Sequence, residues 1–214
     1  MKTIFFDYDG CIHDSLHIYA PAFREAQENL VRLGFAQHQD WSAREIRQWI
    51  GLNPHEMWQR FRPDLPANIR KTASGIIGEH MLAIIESSAR LFPGSADTLE
   101  YLKGRGLVLV LISNCSEAYL HAHNQAFKLD QYFKQLISTE VWQYASKTAI
   151  LSHVLSLYPT GHAMVGDRGI DMEAGKMNNM GTIGARYGYA NDIGEFEEAD
   201  IMIDSIEELI KIFG

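Results

Sequence analysis

Thr3-Ile4-Phe5-Phe6-Asp7-Tyr8-Asp9-Gly10 sets a short apolar, partly β-branched run directly against two aspartates and a glycine. A buried strand that delivers polar groups at its carboxyl end has this pattern. The arrangement recurs down the chain: residues 107–112 give way to Ser113-Asn114, residues 163–165 to Gly166-Asp167, and residues 181–184 form a shorter run of the same kind. Apolar runs without polar alternation predict strands covered on both faces. With helical stretches between them, they predict a parallel α/β sheet. Ligands of such sheets lie beyond the carboxyl ends of the strands, so the three polar endings are expected to share one crevice.

Between the first of these strands and residue 107 the chain changes character, reading as helix after helix from residue 16 to residue 88. Ser42-x-x-Glu45 is a capping box, and Asn53-Pro54 is an N-cap followed by proline at the first helical position. Beyond Pro66, Ile69, Ile76, Ile77, Met81, Leu82, Ile84 and Ile85 recur at mostly helical spacing, with Gly75 and Gly78 as expected kinks. A helical insertion explains why 214 residues exceed the roughly 150 of one ordinary domain. Phe92-Pro93-Gly94 then marks the return to the sheet.

With 46% hydrophobic and 21% charged residues the chain is of ordinary globular composition, which excludes disorder, collagen and coiled coil. It shows no internal repeat and no low-complexity tract. The longest apolar run, residues 107–112, is far short of the ~18 residues of a membrane span. Ile4-Phe5-Phe6 is interrupted by Asp7 too soon for a signal peptide. No membrane partner and a cytoplasmic location are therefore expected. Cys11 and Cys115 fit a reduced compartment and lack the spacing of a zinc cluster. Of the net charge of −8, all is supplied by eight acids between Arg186 and Lys211, a segment with no basic residue. Such a surface repels a polyanion, so no nucleic acid is expected as a partner.

Asp7-x-Asp9-Gly10 puts two carboxylates on one turn, where one can attack while the other handles protons and a metal relieves their repulsion. By itself the tetrapeptide also fits a turn with capping aspartates. Gly166-Asp167-x-x-x-Asp171 brings two more acids to a second strand end. Several carboxylates in one crevice require a cation, and an all-oxygen set selects Mg²⁺ over softer metals. Ser113 and Asn114 offer a hydroxyl and backbone N–H groups of the kind that hold phosphate oxygens. They equally suit, with Ser116, a plain helix cap. Lys147 opens a helix, where the dipole does not favour a cation, and makes better sense facing anions.

In order, Asp7-Tyr8-Asp9-Gly10, Leu109-Val110-Leu111-Ile112-Ser113-Asn114, Lys147 and Gly166-Asp167-Arg168-Gly169-Ile170-Asp171 resemble the four motifs of the haloacid dehalogenase-like (HAD) superfamily of hydrolases. The nearest resemblance is to its phosphoglycolate phosphatase-like members, which carry a helical cap after the first motif. It spans nearly the whole chain, including Phe92-Pro93-Gly94 and Tyr187-Gly188-Tyr189. The resemblance implies a Rossmann-like parallel-sheet α/β core, residues 1–14 and 90–214, with an inserted α-helical cap, residues 15–89, that closes over the site. It also implies a Mg²⁺-dependent phosphatase acting on a small phosphomonoester through an aspartyl-phosphate.

Carried over by position, Asp7 would be the nucleophile, and Asp9 would protonate the leaving oxygen and later activate water. Ser113 and Lys147 would hold the phosphoryl oxygens, with Asn114 in support. Asp7, the backbone carbonyl of Asp9 and Asp167 would bind the metal, and Asp171 would support the metal, its waters or Lys147. An acid at Asp9 favours phosphate over carbon–halogen chemistry, because dehalogenases lack one there. Cys11-Ile12 departs from the usual threonine-leucine, and Lys147 precedes Thr148 where many relatives have proline. Cys11 reads as structural. His13 reads as a surface or hinge residue and His121 and His123 as helix surface, while Trp41, Trp49, Trp58 and Trp142 read as packing groups. Arg47 and Trp49 stand where the cap of relatives approaches substrate. Two other readings share the acids: a phosphosugar mutase of the same superfamily, and a phospho-receiver domain. A receiver's lysine would follow its last strand, and it would carry no such helical insertion. Which phosphorylated metabolite is the substrate, and whether the protein is a monomer or a dimer, stay open.

Overall fold

A computed structural model describes residues 2–214. In chain order the elements are β1 (Thr3–Phe6), α1 (Leu16–Arg32), α2 (Ala43–Arg47), α3 (Pro54–Phe61), α4 (Ala67–Ala83), α5 (Ile85–Ser88), α6 (Ser95–Gly104) and β2 (Val108–Ser113). There follow α7 (Glu117–Phe127), β3 (Gln135–Ser138), α8 (Lys147–Val154), β4 (His162–Gly166), α9 (Gly169–Met177), β5 (Gly181–Ala185), β6 (Ile201–Ile203) and α10 (Glu208–Phe213), with short 3₁₀ turns between some of them. Two compact units result: one runs to Asp14 and resumes over Leu91–Gly214, and the other is Ser15–Arg90.

The six strands form one parallel sheet in the order β3-β2-β1-β4-β5-β6. Both faces are covered, which is why the strands read as solid apolar runs. Phe5, Val110, Ile112 and Met164 pack on one side with Ile150, Leu151 and Val154 of α8, while Ile4, Phe6, Leu109, Leu111 and Val165 are equally buried. β1 lies at the centre with β2 and β4 as neighbours, and Phe6 is level with both Leu111 and Val165. In this doubly wound order the succession of strands reverses between β1 and β4, the point at which such sheets open a crevice beyond their carboxyl ends. The chain leaves the sheet and returns beside its own exit: the backbone N–H of Phe92 donates to the carbonyl of Ile12 (2.9 Å), as does the Ser95 hydroxyl (3.3 Å).

β3 and β6 were not among the strands expected from sequence. They are the edge strands, of four and three residues, and each is exposed over part of its length. β3 has only Leu136 and Ile137 between polar residues, and β6 is apolar, Ile201-Met202-Ile203, but only three residues long.

The helical unit rests on packing between α1 and α4 and on an aromatic cluster in which Phe23, Trp41 and Trp49 surround Phe61 (centroids 5.1–5.4 Å). Its caps form as expected. Ser42 Oγ accepts from the backbone N–H of Glu45, and Glu45 Oε2 accepts from that of Ser42. Asn53 Oδ1 accepts from the backbone N–H of Glu56 (3.0 Å). α4 runs unbroken through Gly75 and Gly78, so neither glycine ends the helix. Trp58 is buried with its Nε1–H on Ser74 Oγ (2.7 Å), whereas Trp142 in the sheet unit is partly exposed. Among the described residues no helix is long and apolar enough to cross a membrane.

Candidate active site

β1 ends at Phe6, but the backbone N–H of Asp7 still donates to the carbonyl of Val165 (2.8 Å), so the ladder carries Asp7 to the rim of the sheet. The chain then closes a tight loop in which the Tyr8 carbonyl accepts from the backbone N–H groups of Cys11, Ile12 and His13. Gly10 stands in that loop at φ +93°, and a Cβ there would collide with the Asp167 carboxylate. Position 10 therefore requires glycine for conformation and for space. A Cβ on Gly188 would meet Asp167 and the Gly10 carbonyl just as closely.

Asp167 follows β4, and Asp171 occupies the first turn of α9. The Asp7, Asp167 and Asp171 side chains are all buried and offer oxygens within 4.8 Å of one another. Lys147, from the start of α8 and only 3% exposed, places Nζ 2.6 Å from Asp7 Oδ1 and 2.7 Å from Asp171 Oδ1. Asp171 Oδ2 also accepts from the backbone N–H of Arg168 (3.2 Å), and Asp167 Oδ2 accepts from that of Tyr189 (2.6 Å). Asp7 Oδ2 and Asp167 Oδ1 are buried without a hydrogen-bond partner.

Burial pushes the Asp7 carboxyl up to about 7, reinforced by the Asp171 charge and partly offset by Lys147. Burial likewise raises Asp167 well above the carboxylate range, with Asp7 and Asp171 adding to it. For Lys147, burial favours the neutral amine, yet Asp171 and Asp7 outweigh it and the group stays an ammonium. Three buried acids thus face one buried cation. Two carboxylate oxygens lacking donors, in an all-oxygen setting, are what a hard divalent ion of the Mg²⁺ type would satisfy.

Ser113 ends β2, buried, two residues beyond Leu111, the partner of Phe6. It therefore stands at the same end of the sheet as Asp7. The cap of α7 is Ser116, whose Oγ accepts from the backbone N–H of Tyr119 (3.3 Å), so capping does not consume the Ser113 hydroxyl. Asn114 follows, half-buried.

Asp9 differs from the other acids. Its Oδ1 accepts from the Tyr119 hydroxyl (2.8 Å) and lies 3.0 Å from His13 Nδ1. Burial would raise the Asp9 carboxyl, but the His13 contact and the Tyr119 hydrogen bond hold it below the usual range. The expectation for His13 is overturned, because it is fully buried, stacked on Tyr8 (centroids 5.2 Å, 16° between planes). His123 is fully buried as well, on the inner face of α7 one turn after Tyr119, and burial drives its pKa down to about 3. His121 is exposed. Cys11 is buried, and burial with the Asp7 and Asp167 charges keeps it a thiol, in line with a structural role.

Glu195 was missed from sequence, and Tyr187, quoted there only as part of the resemblance, was given no role. Glu195 Oε2 accepts from Arg168 Nε and from the backbone N–H of Gly169, both at 2.9 Å, and so anchors the start of α9. The Tyr187 hydroxyl donates to the Cys11 carbonyl (2.8 Å) and ties the loop after β5 to the loop after β1. Nothing in the local sequence signals either contact, since both join segments far apart in the chain.

Residues 4–185 match the model of the family described as haloacid dehalogenase-like hydrolase. The chain belongs to that family. Among curated haloacid dehalogenase-like proteins it resembles phosphoglycolate phosphatases. That of Synechococcus elongatus is 28% identical over 200 residues, covering 88% of this chain and 85% of the relative. That of Pseudomonas fluorescens is 26% identical over 223 residues, covering 98% and 78%. In fold, the chain matches a haloacid dehalogenase-like family hydrolase from Streptococcus pneumoniae, with a TM-score of 0.83 at 19% identity, over 100% of this chain and 99% of the other.

Proposed function

We propose that this haloacid dehalogenase-like hydrolase is a Mg²⁺-dependent phosphatase that cleaves a small phosphomonoester through an aspartyl-phosphate on Asp7. The observation that carries the reading is the buried trio Asp7, Asp167 and Asp171, with Lys147 bridging two of its members and unpartnered oxygens on Asp7 and Asp167. When bound by Asp7, Asp167 and the Asp9 carbonyl, with Asp171 in support, Mg²⁺ supplies charge neutralisation for the nucleophile and the phosphoryl oxygens.

The rest falls to side chains. The Asp7 carboxylate attacks phosphorus; the bond from phosphorus to the ester oxygen breaks, and Asp9, in the fraction of enzyme whose Asp9 carboxyl carries a proton, gives it to that oxygen. Asp9, now a base, takes a proton from the water that attacks the aspartyl-phosphate, which releases phosphate and regenerates Asp7. Lys147 and Ser113, with Asn114, hold the phosphoryl oxygens as charge builds on them. The division of labour proposed is a catalytic core of residues 1–14 and 90–214 and a helical cap of residues 15–89 that selects the leaving group. Cytoplasmic residence with both cysteines as thiols accords with it.

The names of the relatives make phosphoglycolate the first substrate to try, within a phosphate-release screen of small phosphomonoesters in Mg²⁺. Asp7→Asn is expected to abolish turnover by removing the nucleophile. Undiminished phosphate release by the purified variant would refute the assignment.

A further inference from the structure

Asp9 has to present a proton to one atom, the leaving oxygen, and its carboxyl group must be held against rotation to do so. Both side chains that touch it, Tyr119 at 2.8 Å and His13 at 3.0 Å, meet the same oxygen, Oδ1. A carboxylate only accepts, so the Tyr119 hydroxyl and the His13 Nδ1 facing it both direct hydrogens at Oδ1. A proton to be transferred is thereby confined to Oδ2.

The two donors are themselves immobilised. His13 is fully buried, stacked on Tyr8, with His123 edge-on against both rings (centroids 4.5 Å from His13 and 5.3 Å from Tyr8). Tyr119 packs on His123 (4.1 Å), and the Tyr8 hydroxyl bonds His123 Nδ1 (2.8 Å). Of these four buried rings, Tyr119 and His13 spend a polar atom on the Asp9 carboxylate, and Tyr8 and His123 bond each other.

We propose that Tyr119 and His13 are positioning residues for Asp9, clamping Oδ1 so that Oδ2 is the oxygen that serves the leaving group. This rests on the phosphatase reading and goes beyond it by assigning two residues outside the four motifs a part in the protonation step.

The test is the dependence of kcat/KM on the leaving group, measured with substituted phenyl phosphates and Mg²⁺. Because 4-nitrophenolate departs without a proton and phenolate does not, only phenyl phosphate needs a well-aimed Asp9. In Tyr119→Phe, kcat/KM should fall less than about threefold for 4-nitrophenyl phosphate and more than about tenfold for phenyl phosphate, within the range general acid catalysis supplies. A merely structural role would lower both alike, and an equal loss overturns the proposal. Should Tyr119→Phe fail to fold by circular dichroism, His13→Asn and His13→Ala carry the same comparison. Asn keeps an N–H near the place of Nδ1 and should preserve the wild-type dependence, whereas Ala should steepen it; identical profiles for the two overturn the clamp. The wild type and Asp7→Asn are run alongside. If the wild type releases no phosphate, or Asp7→Asn matches it, the phosphatase reading falls and takes the clamp with it. If both behave as expected and Tyr119→Phe loses activity evenly, the clamp alone fails.

Discussion

Lys147 lies between Asp7 and Asp171 with almost no exposure to solvent, so its ammonium is the main counter-charge of a buried acidic site. Removing one partner of a buried ion pair leaves the other uncompensated, at a cost of about 3–5 kcal/mol. Lys147→Met should therefore lower unfolding free energy by about 3 kcal/mol in urea denaturation with EDTA present. A loss below about 1 kcal/mol would mean that the acids relax by protonation instead. Asp7, Asp9, Ser113, Asp167 and Asp171 were legible in the sequence because each lies at or near the end of an apolar run, where polar groups need a reason to be. Lys147 was legible mainly through the resemblance. His13, Tyr119 and His123 were not, since a buried histidine and an exposed one look the same in a chain, and the contact of Tyr119 with Asp9 joins a helix to a loop more than 100 residues earlier.

Strands β1, β2, β4 and β5 were readable because burial on both faces removes polar residues from them. Edge strand β3 was not, because Gln135 and Ser138 leave only two apolar residues between them, nor was β6, whose three apolar residues are too short a run to mark a strand. The caps of α2 and α3 were readable from four-residue patterns whose hydrogen bonds are local. The continuity of α4 was not, because glycine weakens a helix without ending it and packing against α1 decides the outcome. Gly75 is exposed within that helix, and a Cβ added there meets nothing within 4 Å. Gly75→Ala should accordingly stabilise the protein by about 0.5–1 kcal/mol, seen as a higher denaturant midpoint at unchanged m-value. A lower midpoint would show that the glycine serves a purpose its surroundings do not reveal.

Across the chain, the division between a sheet-based unit and a helical one follows from one change of periodicity, and the placement of the acids follows from parallel strands that all end on the same side. Stability should bear the mark of that placement. The folded-state pKa values of Asp7 and Asp167 lie above the ordinary value of 3.8, so the folded protein binds more protons than the unfolded one. By linkage, what these groups contribute is complete below the unfolded pKa and is lost as pH rises through the folded values, for Asp7 up to about 7. In EDTA, Tm should fall between pH 5 and pH 8, since the acids must ionise against one another; Mg²⁺ should raise Tm, and more so at pH 8. Scanning calorimetry at both pH values checks this, and an equal Mg²⁺ effect at the two would contradict the sign.

The central position of β1 has a bearing on biosynthesis. Its residues 3–6 leave the ribosome before both of the strands they pair with, one neighbour being supplied by residues 108–111 and the other by residues 162–165. Until residues 108–111 have emerged, the nascent strand therefore has no lateral partner, and four consecutive buried side chains wait in the open. A chain arrested before residue 162 possesses its nucleophile but has nowhere to seat it.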